Sequence, residues 1–165
     1  MDIVYFDTHV TISPREMGCH LRDLMYKKLI DMYVGKCLKR YGYIIEILHF
    51  TYDREYILSR VNQYVYVKCQ LEVLSITPKV GQYYYGIVKT VYPRGMFVSM
   101  INIFDTLIPL DLLEKSGYVY VPSLATFENA DTRRRILVGE IVNVELTNVH
   151  YDSKTFNCIA KLVDL

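Results

Sequence analysis

The side chains whose types and spacing best suit chemistry are rings and cations gathered in one short stretch. It reads Val80-Gly81-Gln82-Tyr83-Tyr84-Tyr85-Gly86-Ile87-Val88-Lys89-Thr90-Val91-Tyr92-Pro93-Arg94-Gly95-Met96-Phe97-Val98-Ser99-Met100. Phe97, Tyr83, Tyr85 and Tyr92 offer flat faces on which bases stack, and Lys89 and Arg94 carry charge suited to phosphates. The competing reading is that alternate aromatics fill a barrel or cover its outside. Tyr84 takes that second reading, because it shares a strand face with Val88. Phe97 points outward if Val98 and Met100 point in, and for it both readings stand.

A second cationic group, Arg133-Arg134-Arg135, reads as a solvated loop or a partner contact rather than a nucleic-acid grip. Covalent and acid–base chemistry has no comparable candidate. GxSxG, P-loop, GxGxxG and HExxH patterns are all missing. Asp105, Asp111 and Asp131 are spread too loosely to make a metal site or an acid/base pair. His9, His20, His49 and His150 fall on separate predicted elements and read as ordinary surface or half-buried side chains. Cys19, Cys37, Cys69 and Cys158 form no CxxC pair, so they read as reduced, mostly buried thiols of an intracellular protein. The expectation is no catalytic residue, no metal and no cofactor.

The elements that position the aromatic stretch are strands. Residues 83–92 and 96–101 form a hairpin, turned by Pro93-Arg94-Gly95, where glycine supplies a backbone angle other residues resist. Gly86 inside a strong strand predicts a bend or bulge. Residues 106–110 read as a short third strand. Val138-Gly139-Glu140-Ile141-Val142 half-repeats the start of the first strand, and residues 141–149 and 156–163 make a closing hairpin turned by residues 150–154. That pattern is a five-stranded OB barrel, a fold that commonly binds single-stranded nucleic acid. Residues 112–137, between strands three and four, read as a long loop of the kind that is often functional or partner-bound.

The first half reads as α+β. Residues 3–12 form a strand. Ser13-Pro14-Arg15-Glu16 is a helix start, with serine able to cap, proline at the first position and glutamate three residues after the cap. Gly18 weakens that turn. Leu21, Leu24, Met25, Leu29 and Met32 follow at helical spacing, and Gly35 closes the helix. Residues 43–50 are a second strand. In residues 64–74, Val65, Val67, Cys69, Leu71 and Val73 alternate with Tyr64, Tyr66, Lys68, Gln70 and Glu72, which marks a third. Pro78 cannot extend a ladder, so the lobe boundary is placed there: residues 1–78 and 79–165.

The 165 residues are 52% apolar and 22% charged, with net charge +1, sixteen tyrosines and no tryptophan. That is globular, and too nearly neutral for a protein whose main work is gripping phosphate backbones. No apolar run spans a bilayer, and Asp2 and Asp7 argue against a secretory leader.

The barrel half resembles the RNA-binding module of the ribosomal S-one type, through Val80-Gly81, Gly86-Ile87-Val88 and Gly95-Met96-Phe97-Val98. The whole chain resembles the stalk-subunit family of multisubunit DNA-directed RNA polymerases, which includes subunit seven of RNA polymerase II and its archaeal counterpart. Ser13-Pro14-Arg15, Gly18, Leu21, Gly35-Lys36-Cys37 and Arg40-Tyr41-Gly42-Tyr43-Ile44-Ile45 carry that likeness in the first half. The resemblance implies a non-catalytic subunit with an RNP-like N-terminal tip lobe. That lobe would dock on the polymerase core near the clamp, through Pro14, Arg15, Gly18 and Leu21. It further implies an OB barrel beside nascent single-stranded RNA and a second, subunit-four-like stalk partner. Two positions depart from the module: Arg94 stands where an aromatic is usual, and Pro109 where a histidine is often found. Weak, sequence-tolerant RNA contact is therefore expected. A large DNA virus is a possible source, so the setting implied is the nucleus, or the host cytoplasm or virion. A free OB-type RNA-binding or translation factor is the first alternative, and a small α+β enzyme the second.

Overall fold

The computed structural model describes every residue of the chain except Cys19, Tyr56, Asp164 and Leu165. The chain divides into two compact units, Met1–Thr77 and Pro78–Leu165.

The first unit is an antiparallel sheet with a helix on one face. Its elements are β1 (Asp2–Ile12), α1 (Leu21–Tyr33), β2 (Cys37–Leu38), β3 (Gly42–Tyr52), β4 (Ile57–Leu58) and β5 (Val65–Ile76), in sheet order β1-β5-β3-β2, with β4 also pairing β5. β5 is central because both its neighbours need it. β1 runs against it without a break from Asp2↔Ser75 to Ile12↔Val65. The alternation expected of β5 appears in its burial: Val67, Cys69, Leu71 and Val73 are buried, and Lys68 is exposed. Those side chains meet Met25 and Leu29 of α1 and Val10, Ile12, Ile44, Ile47 and Phe50 of the flanking strands in one core. Burying each such side chain contributes on the order of 1.5–3 kcal/mol.

Two helix expectations need correction. Ser13–Glu16 does not open α1; it forms a separate 3-10 turn, Pro14–Glu16, and the helix starts again at Leu21. The capping chemistry serves the short turn instead. Met32 is exposed, and Tyr33 takes its place, packing edge-on against Phe6 with centroids 5.2 Å apart.

The short turn is held to α1 by Lys28. Its ammonium bonds Glu16 at 2.9 Å and the Thr11 carbonyl at 2.8 Å. The Lys28 hydrogen bond, then those from the Ser13 hydroxyl and backbone N–H, lower the Glu16 pKa to about 2. The folded pKa lies below the unfolded one, so this clasp contributes stability above the ordinary carboxylate range and loses it as pH falls toward 2. A carboxyl NMR titration should find the Glu16 midpoint near that low value, and in Lys28→Ala it should move back up toward an ordinary glutamate. An unmoved midpoint would dissolve the clasp.

The second unit is a closed barrel with an insertion. Its elements are β6 (Tyr83–Tyr92), β7 (Gly95–Met100), β8 (Phe104–Pro109), α2 (Leu110–Lys115), β9 (Tyr118–Val121), β10 (Thr126–Asn129), β11 (Arg135–Ile136), β12 (Ile141–Asp152) and β13 (Thr155–Leu162). The barrel order is β12-β13-β8-β7-β6, closed by β12 pairing β6. β13 lies parallel to β8, and the remaining pairs are antiparallel, which is OB topology. Val88, Met96, Val98, Met100, Ile108, Val142, Val144 and Ala160 fill it.

The expected long loop between strands three and four is not a loop. It holds α2 and a three-stranded sheet, β11-β10-β9, with Leu113, Tyr118, Phe127 and Ile136 buried.

Gly86 also acts differently from expectation. The ladder between β6 and β7 slips between Val88 and Thr90, at Lys89, not at Gly86. What Gly86 provides is closeness: a Cβ there would press into Val98 Cγ1 and approach the Met100 sulfur at 2.8 Å. Both are fully buried, so neither has room to retreat. Gly86→Val should therefore cost about 1–3 kcal/mol or more, read as a lowered midpoint in chemical denaturation. An unchanged midpoint would mean the barrel wall yields freely at this point.

Cys69 and Cys158 are buried and Cys37 half-buried, none of them in a disulfide; Cys19 lies outside the described residues. Burial, then the nearby Asp53 charge, raises the Cys69 thiol to about 11, so it stays protonated at neutral pH. Among the described residues no helix is long and apolar enough to cross a membrane, and no three His, Cys, Asp or Glu side chains cluster as metal ligands would.

Candidate nucleic-acid interface

The outer wall of β6 is built by strand alternation. Tyr83, Tyr85 and Ile87 are exposed, and Gly86 and Val88 between them face the core. The slip at Lys89 leaves that side chain exposed as well. On β7 the phase is set by Met96, Val98 and Met100, which are buried, so Phe97 is turned outward and remains 39% exposed. It sits opposite Thr90 on β6 and Leu107 on β8. The Tyr92 ring meets it edge-on, centroids 6.0 Å apart and planes at 88°. The perpendicular contact gives the phenyl ring one neighbour without stacking over it.

Arg94 occupies the tip of the hairpin and is exposed; its carbonyl accepts the Leu110 N–H at 2.9 Å, tying the turn to α2. Phe97, Lys89 and Arg94 therefore share one end of the barrel. Tyr83 and Tyr85 belong to the other end of β6, opposite Glu145 and Asn143 of β12. Thr90 lies five positions after Tyr85, roughly 16 Å along an extended strand. The five candidate RNA-contacting residues thus make two groups on one wall.

The electrostatics are balanced. Lys89 does not stand free: its ammonium lies 3.2 Å from Asp105 on β8. Both groups are at least half exposed, so the pair contributes about 0–1 kcal/mol and a phosphate can compete for the lysine. Glu145 is paired with Lys161 at 3.2 Å. In the arginine run, Arg134 meets Glu140 at 2.8 Å and Arg135 meets Glu128 at 3.3 Å. Arg134 holds the Glu140 carboxyl below the usual carboxylate range. Asp105 and Glu128 were not foreseen as partners, because the first comes from a strand distant in sequence and the second from the inserted sheet. Tyr84 behaves as expected, half-buried with its ring edge-on to Phe104.

In the first unit, Pro14, Arg15, Gly18 and Leu21 run along the 3-10 turn and its link to α1. Pro14, Arg15 and Gly18 are exposed, and Leu21 is half-buried and packs on the core. A Cβ on Gly18 would meet nothing within 4 Å. Among the described residues, then, no close approach demands a glycine there.

No protein-family profile matches the chain. Two solved structures of Mycoplasma genitalium RNase R, one apo and one in complex with ribose methylated single-stranded RNA, resemble part of it at 19% identity and a TM-score of 0.42. Each match covers 51% of this chain and 13% of the enzyme, and likeness at that level bears no weight below. A match along the sequence is broader. DNA-directed RNA polymerase II subunit RPB7 of Glycine max is 20% identical over 165 residues, covering 98% of this chain and 91% of the relative. From the first strand of the sheet to the last strand of the barrel, the chain resembles subunit seven of RNA polymerase II.

Proposed function

We propose that this chain is a non-catalytic stalk subunit of a DNA-dependent RNA polymerase, whose active site lies on other chains. The observation that carries the reading is the end-to-end span of the RPB7 match, which takes in the sheet unit and the barrel in the same order. In this reading residues 1–78 form the tip that docks on the core near the clamp, through Pro14, Arg15, Gly18 and Leu21. Residues 79–165 form the barrel beside emerging RNA. Phe97 stacks on a base while Lys89 and Arg94 meet phosphates.

A second stalk subunit completes the assembly. Exposed apolar side chains on both units support this, among them Ile3 and Tyr5 on β1 and Leu137 and Val138 before β12. Such surface is what a partner covers. The subunit works inside a cell wherever the polymerase assembles, in a nucleus or, for a viral enzyme, in host cytoplasm or a virion.

Purification of the tagged chain from its source tests the assignment. The expected co-purifying proteins are large polymerase subunits and one small partner. Recovery with ribosomes or RNA alone, free of polymerase, would transfer the chain to the free RNA-binding factors.

A further inference from the structure

The first unit buries one face of its sheet against α1 and leaves the other to solvent. Strand register lays the outer face out in rows, read from β1 across β5 to β3. Ile3, Leu74 and Glu46 make one row, Tyr5, Glu72 and His49 the next, and Asp7, Gln70 and Thr51 a third. A groove of about 380 Å³ lies over the second and third rows. Its rims, Tyr5 and Asp7 on one side and His49 and Thr51 on the other, are exposed, and Gln70 and Glu72 between them are half-buried.

Charge on this face is mainly of one sign. Asp7, Glu46 and Glu72 stand on it, Asp53 reaches it by accepting the Gln70 amide at 3.3 Å, and Lys68 is the cation among them. Lys68 lies 3.6 Å from Asp7 in an exposed pair, which an incoming cation can exchange. Glu72 has no such partner: no ion pair or side-chain hydrogen bond of the described residues reaches its carboxylate. It stands on the central strand between two cross-strand rings, Tyr5 and His49, and Tyr5 is 69% exposed. A half-buried carboxylate flanked by rings suits a guanidinium, which forks onto the carboxylate while its plane stacks on an aromatic face. Phosphates would meet carboxylates here, so the same face repels RNA.

We infer that this face docks an extended, arginine-bearing segment of a partner protein, with one guanidinium on Glu72 between Tyr5 and His49 and a second cation on Asp7. Neighbouring rows lie two residues apart along each strand, roughly 7 Å, which is also the same-side spacing of an extended peptide. Arginines at alternate positions therefore meet Glu72 and Asp7 together. A lysine keeps the charge but loses the fork and the stack. The inference rests on the reading of Ile3 and Tyr5 as partner-covered surface, and it adds the chemistry of what covers them.

The test uses the full chain and a short fluorescent peptide alternating serine and arginine. The peptide should bind, its lysine counterpart should bind more weakly, and its glutamate counterpart should not bind. Glu72→Gln keeps the side chain's shape and should lower affinity about tenfold, the size of a hydrogen bond to a charged group. Tyr5→Ala should lower it about two- to fivefold, as for an exposed cation–π contact. Both variants should keep the parent's thermal midpoint. If Glu72→Gln disturbs the fold, Asp7→Asn on the exposed edge strand β1 gives a second reading of the same loss.

Failure of the unaltered chain to bind the arginine peptide would overturn the inference. Binding that is equal in the parent, Glu72→Gln and Tyr5→Ala would place the peptide elsewhere and overturn it as well. A uridine strand whose affinity falls in Tyr5→Ala would hand the face to RNA. The titration contains no polymerase subunit, so its failure leaves the assignment by co-purification standing, and failure of that assignment leaves the titration readable.

Discussion

A chain lacking residues 1–78 should lose the polymerase core completely while its barrel stays folded. The barrel closes on itself through β12 and β6, and all of its strands follow Pro78, so removal of the sheet unit opens no ladder within it. Circular dichroism and a cooperative thermal transition should report a folded fragment. Affinity capture from a lysate should recover large polymerase subunits with the full chain and none with the fragment. A point change sharpens the same prediction. A Cβ on Gly18 meets nothing within 4 Å, so Gly18→Trp should leave the fold intact while placing a large ring on the proposed docking turn. Its thermal midpoint should stay within a degree or two of the parent, as surface changes usually do. Its capture of the core should fall at least tenfold, the effect of blocking one close contact. A barrel fragment that retained the core as well as the full chain would remove docking from the sheet unit. Undiminished capture by Gly18→Trp would move docking off this turn.

How far the sequence discloses this architecture follows from the range of the forces involved. The strand β5 was legible because Val67, Cys69, Leu71 and Val73 sit in strict alternation, and every one is buried. The β6–β7 hairpin was legible because turn residues at Pro93 to Gly95 separate two apolar runs. The inserted sheet was not. Its strands span four, four and two residues, too short to display a period, and their buried side chains are Tyr118, Phe127 and Ile136 rather than an alternating run. The turns between them use Ala125 and Arg133 at positive φ, where no glycine marks the place. Gly86 was noticed for the right reason, an anomaly within a strand, but its cause lies across the ladder in Val98 and Met100.

Outward phase was readable for Phe97, Tyr83 and Tyr85 from alternation alone. The pairing of Lys89 with Asp105 was not, since it depends on β7 and β8 bringing residue 105 beside a slipped residue 89.

The charge pairing also decides how RNA binding should respond to substitution. Stacking a base is worth roughly 1–3 kcal/mol. Phe97 is only 39% exposed and Tyr92 already meets one edge, so the lower part of that range applies, about 1–2 kcal/mol. Phe97→Ala should therefore weaken single-stranded RNA binding about 5–30-fold with the fold intact. Lys89→Ala with Arg94→Ala should weaken it further and flatten the salt dependence by roughly 1.4 in the logarithmic slope, two phosphate contacts at about 0.7 each. Asp105→Asn should act in the opposite direction. It releases Lys89 from its carboxylate and removes a negative charge from the wall, so affinity should rise, and rise most at low salt. Titrations of a labelled oligonucleotide at several salt concentrations separate these effects. If Phe97→Ala and the double alanine variant bind as the parent does, Phe97 is a packing residue beneath a partner. If Asp105→Asn weakens binding, Lys89 reaches no phosphate, and the charge reading of this wall fails even where stacking survives.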